Sequence, residues 1–242
     1  MQKTCHGFLL FYVQDERHDS VGGIIMYMIQ THYEKVKRTI EGKAELCVVT
    51  KRRTPEEIRS YYDAGERCFG ENHVQELKVR AAMFPDDVRW QMIGHLQRNK
   101  VKDIIPFIDC IQSLDNLKLA DVIEKEAAKA GRTINVLCEF HLADEDTEKT
   151  GLSKEDAIPF IHEVMKKEHI RVCGIMAMGP HTDNEERIRE VFNEGYQLFE
   201  SLQKEFGKDV IHTLSMGMSN DYQIAVECGS NLVRIGTYLF EE

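Results

Sequence analysis

Glu45-Leu-Cys-Val-Val-Thr-Lys51 is a short apolar run that ends on a lysine and is followed by Arg52, Arg53, Thr54 and Pro55. Four β-favouring or apolar residues in a row, closed by the helix-starting Thr54-Pro-Glu-Glu57, predict a buried strand feeding a helix. Lys51 then stands at the C-terminal end of that strand. In an α/β fold this is where active-site groups are carried, and an amine there can condense with an aldehyde or grip a phosphate. A strand-end lysine can equally point to solvent, so the rest of the chain has to decide.

The same pair of signals recurs downstream. A helix from Pro55 to Ala64 stops at Gly65, a strand over Arg67–Gly70 leads to a helix opening near Asn72, and a third strand, Val88–Ile93, ends at Gly94-His95-Leu96-Gln97. Ile108–Ser113 is the fourth strand, with Asp115 expected to cap the long Asn116–Ala130 helix that Gly131 stops. Ile134–Phe140 is the fifth, followed by the acidic stretch Asp144-Glu-Asp-Thr-Glu148 and, after Ser153, by a helix carrying Ile158, Ile161, Val164 and Met165. After the sixth strand, Val172–Met176, a charged helix buries a stripe of Ile188, Val191, Phe192, Tyr196, Phe199 and Leu202. Val210–Leu214 and Leu232–Ile235 complete the set, and the helix between them opens at Asn220 or Asp221. Upstream, Met28–Ile40 forms a helix before the first strand.

Apolar strands separated by amphipathic helices, with no Pro/Gly/Ser-rich linker, predict one parallel sheet, and eight such units close into a single (β/α)8 TIM barrel. The front helix fills the eighth helix place. An open doubly wound sheet is the alternative.

The 242 residues suffice for one large domain, expected over residues 26–242. A net charge of -10 argues against nucleic acid or an anionic membrane surface as partner. Seven scattered cysteines without a CxxC pair signal neither a disulfide framework nor a zinc site, and in a reducing compartment those inside strands act as small hydrophobes. No apolar stretch approaches the roughly 18 residues of a membrane span. Residues 1–25 are unlike the rest and are expected to be an N-terminal extension, disordered or an artefact of the start site. A chain starting at Met26 or Met28 is the corresponding hypothesis; an intact mass of endogenous protein beginning at Met1 would sink it.

With a barrel, the strand ends define a rim of Lys51, Glu71, Asn72, His95, Gln97, Ser113, His141, Met178, Ser215 to Ser219, Arg234, Gly236 and Thr237. Ser215-Met-Gly-Met-Ser219 offers two hydroxyls and a glycine that lets the backbone approach an anion. Gly236-Thr237 adds another amide and hydroxyl on the neighbouring strand end, the place where barrels often hold phosphate. His95 and His141 lack metal-ligand spacing or a defined carboxylate partner and are read as structural. No HExxH, Walker or GxGxxG pattern occurs.

Val-Val-Thr-Lys51, Phe69-Gly-Glu-Asn72 with Val74-Gln-Glu76, Arg89 to Gln97 with Asn99-Lys-Val101, Leu214 to Ser219 with Asp221, and Leu232-Val-Arg-Ile-Gly-Thr237 follow one another in the order of the signatures of a known family. From about Met28 to Phe240 the chain resembles the pyridoxal-phosphate homeostasis family (YggS/PROSC), whose members are similar to the barrel domain of alanine racemase standing alone. The resemblance implies a barrel of the alanine-racemase N-terminal-domain type that binds pyridoxal 5′-phosphate without established catalytic turnover. It further implies that Lys51 forms the internal aldimine and that Asn72 lies near the cofactor ring. Ser219, Gly236 and Thr237, with Ser215 or the backbone of Met216 to Met218, would hold the phosphate, and Arg234 would meet the pyridine nitrogen. A guanidinium there disfavours a second proton on that nitrogen, so the ring becomes a weaker electron sink. The expected partners are the cofactor and apo-enzymes that receive it, in the cytoplasm, with the chain a monomer. Many relatives carry a second lysine where this chain has Arg53. The rival is a racemase-like enzyme; such racemases follow the barrel with a β domain, whereas this sequence ends at Glu242, just after the eighth strand. A third reading, a barrel for another phosphorylated metabolite, predicts no covalent lysine adduct.

Overall fold

The computed structural model describes residues 31–142 and 151–240. The expectations for residues 1–25, Met26, Met28 and the acidic stretch 144–148 lie outside them. A helix over residues 31–40 (α1) leads into eight parallel strands that close on themselves in sequence order. These are β1 (Glu45–Val49), β2 (Cys68–Glu71), β3 (Arg89–Met92), β4 (Cys110–Leu114), β5 (Ile134–Phe140), β6 (Ile170–Ala177), β7 (Thr213–Ser215) and β8 (Leu232–Ile235). β8 pairs back onto β1, with Cys47 opposite Arg234 and Val48 opposite Ile235. That pairing makes the predicted (β/α)8 barrel and rules out the open sheet.

Between the strands run α2 (Pro55–Asp63), α3 (Val74–Ala81), α4 (Val101–Ile104), α5 (Leu117–Ala130), α6 (Ala157–Met165), α7 (Glu185–Phe206) and α8 (Tyr222–Glu227); a turn of 3-10 helix, Arg98–Lys100, precedes α4. The helix starts follow local chemistry. Thr54 and Glu57 form a reciprocal capping box on α2 with Pro55 in its first turn, a device that contributes about 1 kcal/mol. Asn116, not Asp115, caps α5: its Oδ1 accepts the Leu119 N–H at 2.9 Å, while Asp115 accepts the Asn116 side-chain amide at 2.6 Å. Gly131 ends α5 in the left-handed conformation, as predicted.

α1 packs beside the barrel's closing pair. His32 stacks on Tyr238 at 4.6 Å, and Tyr33 meets Tyr61 of α2 edge-on at 5.6 Å. Tyr238 belongs to a short final helix, α9 (Thr237–Phe240), which the sequence reading did not anticipate. The Tyr61 hydroxyl donates to the Leu239 carbonyl at 2.6 Å, which ties α9 down onto α2. β7 is the strand whose placement differs most: Val210 to His212 approach the sheet as a turn, and pairing with β6 begins only at Thr213 opposite Gly174.

The core has two layers. The outer one lies between strands and helices and includes Leu46, Val48, Phe69, Trp90, Ile175 and Phe192. The inner one fills the barrel with Cys47, Cys68, Cys110, Cys173, Leu137, Met176 and Leu232. The thiols there are buried and unbridged, which fits their reading as small hydrophobes. Burial pushes the Cys110 thiol well up, and the Cys68 thiol rises through its hydrogen bond to Cys47 and its burial.

Candidate functional site

Lys51 leaves β1 in an exposed turn, and the next residue, Arg52, has φ 61. It is the single non-glycine residue in the left-handed region among the described residues, a conformation that costs about 1–2 kcal/mol. Something must hold this turn. Thr50, fully buried beneath it, donates its hydroxyl to Glu71 Oε2 at 2.9 Å. Arg80 of α3 donates Nη2 to the Arg53 carbonyl at 3.1 Å and forms an ion pair with Glu71. Glu71 is 0% exposed, and its Oε1 accepts the backbone N–H of Asn72 at 2.7 Å and of His73 at 3.3 Å. Asn72 Oδ1 is buried, with no hydrogen-bond partner among the described residues. One side of the mouth is thus a network of charged side chains that leads to Asn72.

The other side is built differently. Arg234 of β8, 4% exposed, points into the barrel and donates Nη1 to the Ser215 carbonyl at 2.8 Å and hydroxyl at 2.6 Å, and Nη2 to the Ala177 carbonyl at 2.9 Å. Three of its five N–H donors are engaged in this way. Ser215 Oγ donates onward to Gln112 at 2.8 Å, Gln112 to Gln91 at 3.1 Å, and Gln91 to Asp109 at 2.9 Å. A hydrogen-bonded chain therefore crosses the barrel interior and fixes the guanidinium. Burial lowers the Arg234 pKa, against the charges of Cys47, Asp221 and Glu139. The Ser215 hydroxyl, expected at the phosphate, lies beneath the mouth, where it accepts from Arg234 and donates to Gln112.

Beyond Ser215 the loop is shaped by backbone. Gly217 has φ +92, and a Cβ there would stand 2.6 Å from the Ala225 Cβ, so only glycine fits without a shift. Its carbonyl accepts the Arg234 N–H at 3.0 Å. Asp221 Oδ1 takes the Met218 N–H at 2.6 Å, and burial raises the Asp221 carboxyl while that N–H and Arg234 oppose the rise. The Ser219 hydroxyl accepts the Tyr238 N–H at 3.1 Å, joining the β7 loop to α9. Among the described residues no protein group accepts the backbone N–H of Ser219, Gly236 or Thr237. Unused amides on neighbouring loops are what an anion requires. Gly236 lies against Val49, its Cβ position 3.1 Å from the Val49 Cβ, so this cradle adjoins the Lys51 turn.

Elsewhere on the rim the side chains do not converge. His95 is exposed and 4.0 Å from Asp115, and His141 shows no metal partners; among the described residues no group of His, Cys, Asp and Glu is placed to hold a metal ion. A cleft of about 630 Å³ opens beyond β3, lined by His95, Gln97, Arg98, Asn99 and Asn116, and contains none of the seven predicted site residues. Arg53 lies over the Phe240 ring at 4.9 Å and 3.8 Å from Glu57. Sequence reasoning missed Arg80, Gln91 and Gln112. Arg80 had a signal: it falls on the buried stripe of α3 with Val74 and Leu77, where an apolar residue is expected.

A parallel barrel with a lysine after β1 and an amide cradle after β7 and β8 defines a class, and the family model described as alanine racemase, N-terminal domain, matches residues 26–242. Among curated relatives, the pyridoxal phosphate homeostasis protein of Aquifex aeolicus is 38% identical over 219 residues, covering 90% of this chain and 95% of that protein. The protein of the same name from Helicobacter pylori is 36% identical, covering 82% and 87%. The chain belongs to this family of pyridoxal phosphate homeostasis proteins. PipY of Synechococcus elongatus, solved with pyridoxal phosphate bound, superposes with a TM-score of 0.81 at 27% identity, over 88% of this chain and 100% of PipY. Alanine racemase of Clostridium difficile shares the fold, with a TM-score of 0.75 at 17% identity over 57% of its own length. Among the described residues no helix is long and apolar enough to cross a membrane.

Proposed function

We propose that residues 26–242 form one domain that holds pyridoxal 5′-phosphate at the barrel mouth and buffers or delivers it without catalytic turnover. The observation that carries this reading is the donor set itself: an exposed lysine amine beside unused amides, an orphaned buried amide oxygen and a fixed buried guanidinium. These residues fit a phosphorylated pyridine aldehyde. When bound, that group supplies an aldehyde that condenses reversibly with amines.

The chain's own groups then divide the work. Lys51 presents its Nζ to the aldehyde. Asn72 lies beside the ring. The N–H groups of Ser219, Gly236 and Thr237, with the Ser219 and Thr237 hydroxyls, take the phosphate. Arg234, held by Ser215 and Ala177, directs its remaining N–H donors toward the pyridine nitrogen. A guanidinium is a donor only, so it disfavours protonation of that nitrogen and limits how far the ring can stabilise a carbanion. Holding and release follow from this more readily than racemisation. The names of the relatives support the same reading, and apo-enzymes that need the cofactor are the partners it implies, with the chain acting as a monomer.

The test is the absorbance spectrum of the purified protein with pyridoxal 5′-phosphate, followed by borohydride reduction and peptide mapping. A reduced adduct on Lys51 is the expected result. A colourless protein with unmodified Lys51 would overturn it. For delivery, transfer to an apo-enzyme should outpace release of free cofactor; equal rates would leave buffering alone.

A further inference from the structure

The Glu71–Arg80 pair lies behind Lys51 and Asn72, and among the described residues it makes no hydrogen bond to either side chain, yet it binds the backbone on both sides. Arg80 reaches the Lys51 turn at the Arg53 carbonyl, 3.1 Å, and at Thr50 Oγ1, 3.4 Å. Glu71 takes the Thr50 hydroxyl on one oxygen and the Asn72 and His73 N–H groups on the other. A third contact, Arg80 Nη2 to Glu76 at 3.0 Å, anchors the guanidinium within α3. The turn being held contains the left-handed Arg52, a conformation that persists where its surroundings over-determine it.

We propose that Glu71 and Arg80 are positioning residues that fix the separation of the Lys51 turn from Asn72, and so set how tightly the mouth grips its cofactor. The inference rests on the reading of Lys51 and Asn72 given above. Arg80 is suited to it because one planar fork can face a carboxylate and a carbonyl together, which a lysine ammonium does less well. A purely structural pair would behave otherwise. Apolar replacement of a buried ion pair is often neutral for stability, so stability and positioning can be separated.

The experiment compares wild type with the double variant Glu71→Leu/Arg80→Met, and with Thr50→Val, which removes only the bridging hydroxyl and carries the test should the double variant fail to fold. Amide hydrogen exchange of residues 50–53 and 72–73 is followed in the cofactor-free protein, and pyridoxal 5′-phosphate affinity is titrated by absorbance. We expect the folded variants to exchange these amides faster while the rest of the barrel keeps wild-type protection. Affinity should fall by roughly 10- to 100-fold in the double variant, as displaced supporting groups produce, and less in Thr50→Val. Wild-type exchange and wild-type affinity in a folded variant would overturn the proposal. Should wild type itself leave Lys51 unlabelled, the cofactor reading fails, and the exchange comparison still decides whether the pair fixes the rim.

Discussion

Two buried arginines flank β1, and they are held in opposite ways. Arg80, behind β2, is ion-paired to the fully buried Glu71, so its charge is balanced within the protein. Arg234, on β8, meets two carbonyls and a hydroxyl, and among the described residues no carboxylate lies within ion-pair distance of it. Burial lowers the pKa of both. Taking a charge out of water without a counter-charge is expensive, and a fold keeps such a group where something else will meet it. The contrast separates an arginine whose charge is balanced by a buried carboxylate from one held by neutral groups, which is the one proposed above to meet the cofactor.

The sharpest break of that contrast is Arg80→Met alone. It leaves Glu71 buried without its partner and should lower stability by about 3–5 kcal/mol, read from urea or thermal melts. Arg234→Met breaks no ion pair among the described residues, though it removes the positive charge that acts on the buried Asp221 carboxyl. Its loss in the cofactor-free protein should be smaller, about 1–3 kcal/mol for acceptors left unsatisfied, while pyridoxal 5′-phosphate affinity falls out of proportion to it. Equal stability losses in the two variants would erase the distinction.

Ser219→Ala removes one hydroxyl from a cradle made mainly of backbone amides. Affinity should drop by the equivalent of about 0.5–1.5 kcal/mol with melting little changed, measured by cofactor titration. Asp221→Asn should have the smallest effect and a defined sign. Because burial raises the Asp221 carboxyl in the folded state, wild type loses stability as pH rises from the unfolded value through the folded one. The melting temperature of the variant relative to wild type should therefore climb from pH 3 toward pH 7. A flat difference would show that the Met218 N–H and Arg234 fully offset the burial.

Periodicity made the fold legible where it is strongest. β5 and β8 fall at the predicted residues, and Lys51, Arg234 and Gly236-Thr237 lie on the predicted rim because strand ends follow directly from strand limits. Chemistry that depends on tertiary neighbours was not legible. Asp115 and Asn116 are both good caps, and only backbone direction decides which oxygen meets Leu119. Ser215 reads as a mouth hydroxyl until the parity of β7 turns it inward to Gln112, a partner 103 positions away. Gln91 and Gln112 look like ordinary strand polars because nothing local tells that they face each other across two strands. Arg80 was hidden by the opposite habit, the assumption that a basic residue in a helix faces water.

The thiols inside the barrel make the fold a clock for its own opening. Cys47, Cys68, Cys110 and Cys173 are shut away with raised pKa values for Cys68, Cys110 and Cys173, so a thiol-specific dye reaches them only when strands part. The rate of their labelling counts those excursions, and its slowing on addition of a ligand would report how far that ligand seals the mouth, without any signal from the ligand itself.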